Sequence, residues 1–281
     1  MASAPPPGVA ASALNSHPIH FPERTAGVRL EYPMLYPLLR VLLLCVLSLP
    51  ATAALPNRDD LDAVLLRNVR NGFVDYDGIK ADPAFARFVT GLANASTADL
   101  DERNGRLALL INAYNAFAIQ GILDGYSPAS MLGRYTFFKR REYGLLGDTT
   151  TLNDLEHGKI LPLGEPRIHF AIVCASISCP RLASEAYGPA EIDAQLDAAA
   201  RAFANDGARN RYDVSRRIAF LSSIFDWYEA DFVKAAGSTQ KYLARYVSDP
   251  ATRELLARDG FKVQFVDYDW NLNGVFQGKP D

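Results

Sequence analysis

Cysteine is scarce in this chain: 3 residues in 281, too few for a disulfide-rich scaffold. Charge of one sign is missing as well. The chain has 29 Lys+Arg against 32 Asp+Glu, a formal net charge of −3, so no general electrostatic case for nucleic acid exists. Glycine (19) and proline (17) are far below fibrous levels. There is no P-loop, no G-x-G-x-x-G, no G-x-S-x-G and no basic-aromatic run, which disfavours nucleotide-dependent and nucleic-acid functions. What is present is 49% hydrophobic and only 22% charged residues, the composition of a globular protein with a sizeable core.

The first sixty residues read apart from the fold. Residues 1–33 are rich in Ala, Pro and Ser and lack an apolar period. From Met34 the order changes: Arg40, an apolar stretch Val41–Leu49, then Pro50 before Ala51-Thr52-Ala53. That is the order of a secretory signal with an A-x-A cleavage site, leaving Ala54 as the new N-terminus. A membrane anchor is the rival reading, but the uncharged run Val41–Leu55 is 15 residues and contains Pro50, short of the roughly 20 a span needs. Leu42–Leu44 ahead of Cys45 lack the small residue of a lipid-attachment site. The expectation is therefore a signal peptide over 34–53 and an exported, periplasmic or secreted product. Met34 is expected as the true start, with residues 1–33 misassigned upstream sequence or a disordered leader.

Cleavage would take Arg24, Arg29 and Arg40 from the 29 basic residues and Glu23 and Glu31 from the 32 acidic ones, leaving 26 and 30, a net −4. It would also remove Cys45, His17 and His20. The remaining His157, His169, Cys174 and Cys179 all fall within 23 consecutive residues.

Periodicity predicts helices over 58–70, from Pro83 to Leu92, over 102–123, and at about 190–204, 223–235 and 238–247. Residues 102–123 are apolar nearly all round, the pattern of a buried central helix. Thr151-Leu-Asn-Asp154 has the form of a capping box opening a short helix through His157. Strands are expected at Phe73–Tyr76, Tyr143–Thr150, Arg167–Cys174, in a hairpin over 211–221, and at Phe261–Trp270. With no linker inside 58–276, these give a single α+β domain: helices packed around a small central sheet with one buried apolar helix.

Six ordered blocks, VDYDGIK, LINAYNAFAIQGIL, TLNDLEHGKIL, RIHFAIVCASISCPRL, LSSIFDWYEADF and DYDWNLN, resemble the DUF547 family, a domain of unknown function. The similarity runs from about residue 64 to 274. It implies a shared fold and marks Glu156, His157, His169 and the Cys174-x4-Cys179 pair as family-type positions. It implies no reaction, although some relatives attach the domain to regulatory or thiol-redox modules.

Strand alternation in Ile168–Cys174 expects His169 and Cys174 to point to opposite faces. Pro180 would open a helix with Cys179 as its N-cap, lowering the thiol pKa and making Cys179 the better nucleophile and Cys174 the structural or resolving cysteine. Against this stands a Cys174–Cys179 disulfide, structural or redox-labile, as exported proteins often form. His157 is the candidate general base. Glu156, its neighbour about 100° away on a helix, cannot orient it. Asn112, Tyr114 and Asn115 stand out on the apolar helix. A buried amide without partners costs about 1–3 kcal/mol, so Asn112 and Asn115 are expected to pin a loop such as Ala175–Cys179 or to line a pocket. His169, Ser176 and Arg181 complete the site-supporting candidates.

No metal or cofactor is expected. Asp269–Gly274 matches only the first half of an EF-hand loop, its twelfth position being Pro280. The H-x11-H-x4-C-x4-C spacing is not a zinc pattern. The aromatics Phe225, Trp227, Tyr228, Phe232, Tyr268 and Trp270 read as core and rim packing. Two functions remain. The first is a binding or interaction module for a small molecule or protein, stapled by the Cys174/Cys179 loop, that meets a membrane only through an uncleaved signal. The alternative is a thiol-dependent enzyme, for acyl transfer, hydrolysis or thiol-disulfide exchange, using Cys179 with His157 and the backbone N–H groups of 176–181.

Overall fold

A computed structural model describes residues 55–96 and 102–274; the expected leader and signal segment, 1–53, lie outside the described residues. Helix α1 (Arg58–Asn68) starts under an Asn57 cap and ends in a tight hairpin, β1 (Val69–Arg70) and β2 (Phe73–Val74). Its turn needs left-handed backbone at Asn71 (φ 52°) and Gly72 (φ 83°), which Asn and Gly tolerate best. Asp75 caps α2 (Tyr76–Ala81), so Asp77-Gly78 lies inside a helix rather than closing a strand. Asp82 and Pro83 together open α3 (Pro83–Asn94).

Helix α4 (Arg103–Leu123) is the centre: every residue from Leu107 to Ile119 is buried. A helix apolar on all sides must be surrounded, and α4 meets α2, α3 and the later helices. Next come α5 (Met131–Lys139), capped by Ser130, and the hairpin β3 (Glu142–Leu145) with β4 (Asp148–Thr151). Thr151 caps the short α6 (Leu152–Leu155), its hydroxyl taking the Asp154 N–H at 3.1 Å.

The expected strand Arg167–Cys174 does not form. Glu165 caps a 3-10 turn over Pro166–Phe170, and the Ile168 carbonyl accepts the N–H groups of Ala171 (2.9 Å) and Ile172 (3.0 Å). Among the described residues no strand pairs with this apolar run, and its backbone bonds go to a turn and, below, to a side chain. Nor does Pro180 open a helix. The next one is α7 (Ile192–Ala204), and Cys179 sits in a turn, its N–H on the Ser176 carbonyl at 3.2 Å.

Beyond α7, β5 (Arg211–Asp213) pairs antiparallel with β6 (Ile218–Ser222). The chain then runs through α8 (Ile224–Trp227), α9 (Glu229–Ala236), α10 (Thr239–Leu243) and α11 (Pro250–Ala257), the last unanticipated from sequence. It returns as β7 (Lys262–Val266), parallel to β6 with Ile218 opposite Lys262. That helical crossover is what a parallel pair requires. The α+β class holds, with the strands divided between two hairpins and one three-stranded sheet. Two apolar clusters fill the interior. One surrounds α4; the other holds Phe203, Phe225, Phe232 and Tyr242 under β6 and α7–α11. The 3-10 turn joins them, Ile168 in the first and Phe170 in the second.

Candidate functional site

After α6 the helix widens into a π turn over Glu156–Ile160, where the Leu161 N–H reaches back to the Glu156 carbonyl. Single π turns often mark functional sites because the extra residue re-aims side chains. Here Glu156 turns inward and is 6% exposed, whereas His157 is exposed with Nδ1 3.1 Å from the Asn153 carbonyl. Two phenols donate to the Glu156 carboxylate: Tyr114 of α4 to Oε2 at 3.1 Å and Tyr228 to Oε1 at 2.5 Å. Burial, reinforced by the Glu156 charge, pushes both phenols well above the ordinary tyrosine range, so they stay protonated donors.

Another part of the site comes from the loop that contains both cysteines. They form a disulfide, Cys174–Cys179, with Cα atoms 6.1 Å apart. The Cys179 sulfur lies 2.9 Å from the Cys174 N–H and 3.2 Å from the Tyr268 hydroxyl. The segment after β7 straps this loop from outside: Asn273 N–H to the Ala175 carbonyl, Ile177 N–H to the Asn271 carbonyl, Ser178 N–H to the Asp269 carbonyl. Arg209 clamps it from below, donating to the Ile177 and Cys179 carbonyls at 2.6 Å each. Ala175 is held left-handed (φ 61°), a conformation that costs a Cβ-bearing residue about 1 kcal/mol.

Asn112 and Asn115 each spend both ends of the amide on backbone. Asn115 donates to the Ala171 carbonyl (2.9 Å) and accepts the Val173 N–H (2.8 Å). Asn112 does the same with the carbonyl and N–H of Tyr187, both at 2.8 Å. The pinned segments are therefore 171–173 and Tyr187, rather than Ala175–Cys179.

Between these walls lies a cavity of about 350 Å³, within the range of small-molecule sites. Tyr114, Glu156, His157, His169, Cys174 and Cys179 all line it. Strand parity therefore fails as a guide: the 3-10 turn brings His169 and Cys174 to the same pocket. Asn112, Asn115, Ser176 and Arg181 stand outside. Ser176 is buried behind the disulfide, 3.1 Å from the Cys174 sulfur, and Arg181 pairs with Asp206 on the outer face. Sequence reasoning missed the remaining wall. Phe225 and Phe232 are core as expected, but Trp227, Tyr228, Tyr268 and Trp270 line the pocket, with Phe138 and Lys139 at another side. Their only signal was two aromatic blocks far apart in sequence, which nothing short of the fold brings together.

His169 is fully enclosed. Its Nε2 donates to Asp231 at 2.8 Å, its ring stacks on Tyr228 at 3.9 Å, and Nδ1 has no hydrogen-bond partner among the described residues. A second proton would be buried at Nδ1 without an acceptor. Burial pushes this imidazole below the ordinary histidine range, with Asp231 opposing. The unfolded chain takes up that proton near pH 6.5 and the folded one only lower. The stabilisation is thus complete above about pH 6.5 and is lost as the pH falls through the depressed folded value. Urea denaturation between pH 7 and pH 5 should show this slope, and His169→Gln should flatten it; an equal slope in the variant would assign it to another group.

Neither imidazole hydrogen-bonds to a sulfur among the described residues, and the candidate base His157 lines the pocket as an exposed side chain whose Nδ1 bonds the Asn153 carbonyl. Among the described residues no group of three or more His, Cys, Asp or Glu is gathered as metal ligands would be. Residues 97–204 match the model of the family DUF547, described as a protein of unknown function. No curated protein and no solved structure matches the chain. The matched stretch carries α4, the π turn and the disulfide loop, but not the aromatic wall from Trp227 to Trp270.

Proposed function

Starting from a chain that carries the DUF547 family's sequence over residues 97–204, we propose a binding module of an exported protein, with a small molecule as the ligand of the 350 Å³ pocket. The observation that carries this reading is the disulfide wall. Cys179 is 2% exposed and bonded to Cys174, and among the described residues neither imidazole hydrogen-bonds a sulfur, so no free thiol faces the cavity. Export rests on the signal-like order of residues 34–53, and a disulfide suits an oxidising compartment.

The loop acts as a staple in this reading. Closing so short a loop removes about 2 kcal/mol of unfolded-state entropy. The Cys174→Ser/Cys179→Ser variant should therefore unfold about 2 kcal/mol more easily in urea and bind ligand with altered affinity at most. Intact mass of the exported protein, with thiol alkylation before and after reduction, should show no alkylation until reductant is added. Two freely alkylated cysteines would remove the staple and the reading with it.

One observation favours thiol-disulfide exchange as the second reading. An incoming thiolate that attacks the Cys174 sulfur breaks the S–S bond, and its electron pair leaves on Cys179. The Cys174 N–H already points at that sulfur at 2.9 Å, while the Tyr268 hydroxyl lies 3.2 Å from both sulfurs. Glutathione should then reduce the pair rapidly, and in Cys179→Ala, where Cys174 is a free thiol, glutathione disulfide should leave a stable mixed disulfide on Cys174 with release of one glutathione thiolate; a pair inert to millimolar glutathione excludes this reading.

A further inference from the structure

Glu156 presents an unusual balance. It is 6% exposed, yet enters none of the ion pairs among the described residues. Buried carboxylates are almost never left without a cation. Two phenols donate to it, but an ionised carboxylate offers about four lone-pair sites, and phenols carry no positive charge. Because Glu156 lines the cavity, the unfilled acceptor capacity belongs to whatever enters.

The aromatic lining of the pocket suits the same charge. Trp227, Tyr268 and Trp270 form one aromatic cluster, with ring centres 4.6 to 5.8 Å apart. Cations are attracted to such faces within about 6 Å, best to tryptophan. The cluster already takes one cation, the Arg134 guanidinium 4.7 Å from the Trp270 ring. Trp227, 48% exposed, carries no such partner among the described residues. Lys139 lines the pocket too, but it is exposed and outside ion-pair distance of Glu156.

Resting on the binding-module reading, we infer that the pocket recognises a small ligand with a protonated amine on an apolar body, the ammonium on Glu156 and the body against Trp227 and Tyr268. Glu156 is the specificity-determining residue, and Tyr114 and Tyr228 hold its carboxylate in place.

The chain contains only two tryptophans, Trp227 and Trp270, and both line the cavity, so tryptophan fluorescence excited apart from tyrosine reports this site. The probes are 2-phenylethylamine, its neutral analogue 2-phenylethanol and the anion 3-phenylpropionate, titrated into the full chain by fluorescence and calorimetry. The amine should bind at least roughly tenfold tighter than the alcohol, and the anion weakest. Glu156→Gln should erase the difference between amine and alcohol. Should that variant fail to fold by circular dichroism, Trp227→Ala, on an exposed side chain, should still weaken the amine severalfold more than the alcohol, read by calorimetry. Equal binding of amine and alcohol overturns the ligand class and leaves the pocket standing. No binding of any probe at millimolar concentration overturns the pocket reading itself.

Discussion

Asn115→Ala should destabilise the domain by about 3 kcal/mol, because it strands two buried backbone groups at once. The Ala171 carbonyl and the Val173 N–H both lie on buried residues and both bond the Asn115 amide. For a domain of this size, 3 kcal/mol corresponds to a fall in Tm of roughly 6–12 °C. Asn115→Asp is the sharper control. It keeps the shape and the acceptor for Val173, but offers no donor to Ala171 and buries a charge, so it should cost at least as much as alanine. Thermal and urea unfolding measure both variants, and hydrogen exchange at the Val173 amide locates the loss. A midpoint within about 0.5 kcal/mol of the parent would show that segment 171–173 is held by packing alone. Because that segment leads directly into Cys174, its release should also loosen the disulfide wall of the pocket.

That pair of asparagines marks how far the sequence can be read. Their i,i+3 spacing on a greasy helix announced buried amides in need of partners, but the partners lie 56 to 75 positions away and only the fold selects them. Helix α4 was legible because its pattern has no polar face to misread. The capped helices were legible where Asp82-Pro83 and Thr151-x-x-Asp154 supply their own N–H partners. Residues 167–174 were misread for a physical reason. Alternating β-branched residues make a strand only beside another strand, whereas here Pro166, the Glu165 cap and the Asn115 amide take the backbone bonds first. The forecast that Cys179 would cap a helix and become reactive rested separately on Pro180, which opens no helix here. The aromatic wall was invisible for a different reason. Trp227 and Tyr228 end one short helix, Tyr268 and Trp270 follow the last strand, and the parallel pairing of β6 with β7 sets them side by side.

Phe232→Ala should be the costliest substitution in the domain, about 4 kcal/mol, from lost transfer energy and the cavity left behind. Phe232 is 0% exposed and sits among four rings: Tyr242 at 4.9 Å, Phe225 at 5.1 Å, His169 at 5.5 Å and Phe170 at 5.8 Å. Those neighbours come from α8, α10 and the 3-10 turn, so no single element can shift to close the void. Phe232→Leu keeps most of the volume and should cost about half as much. Distance from the pocket is only one residue thick at this point. Phe232 supports the edge of His169, His169 stacks on Tyr228, and Tyr228 donates to Glu156. Loss of the ring should therefore weaken amine binding as well as stability, although Phe232 touches no part of the cavity. The two effects separate by experiment. Stability is read from urea unfolding, and affinity from tryptophan fluorescence well below the unfolding transition. If Phe232→Ala unfolds early yet binds 2-phenylethylamine as tightly as the parent, the stack through His169 and Tyr228 does not position Glu156, and the carboxylate is held by Tyr114 and its own π turn.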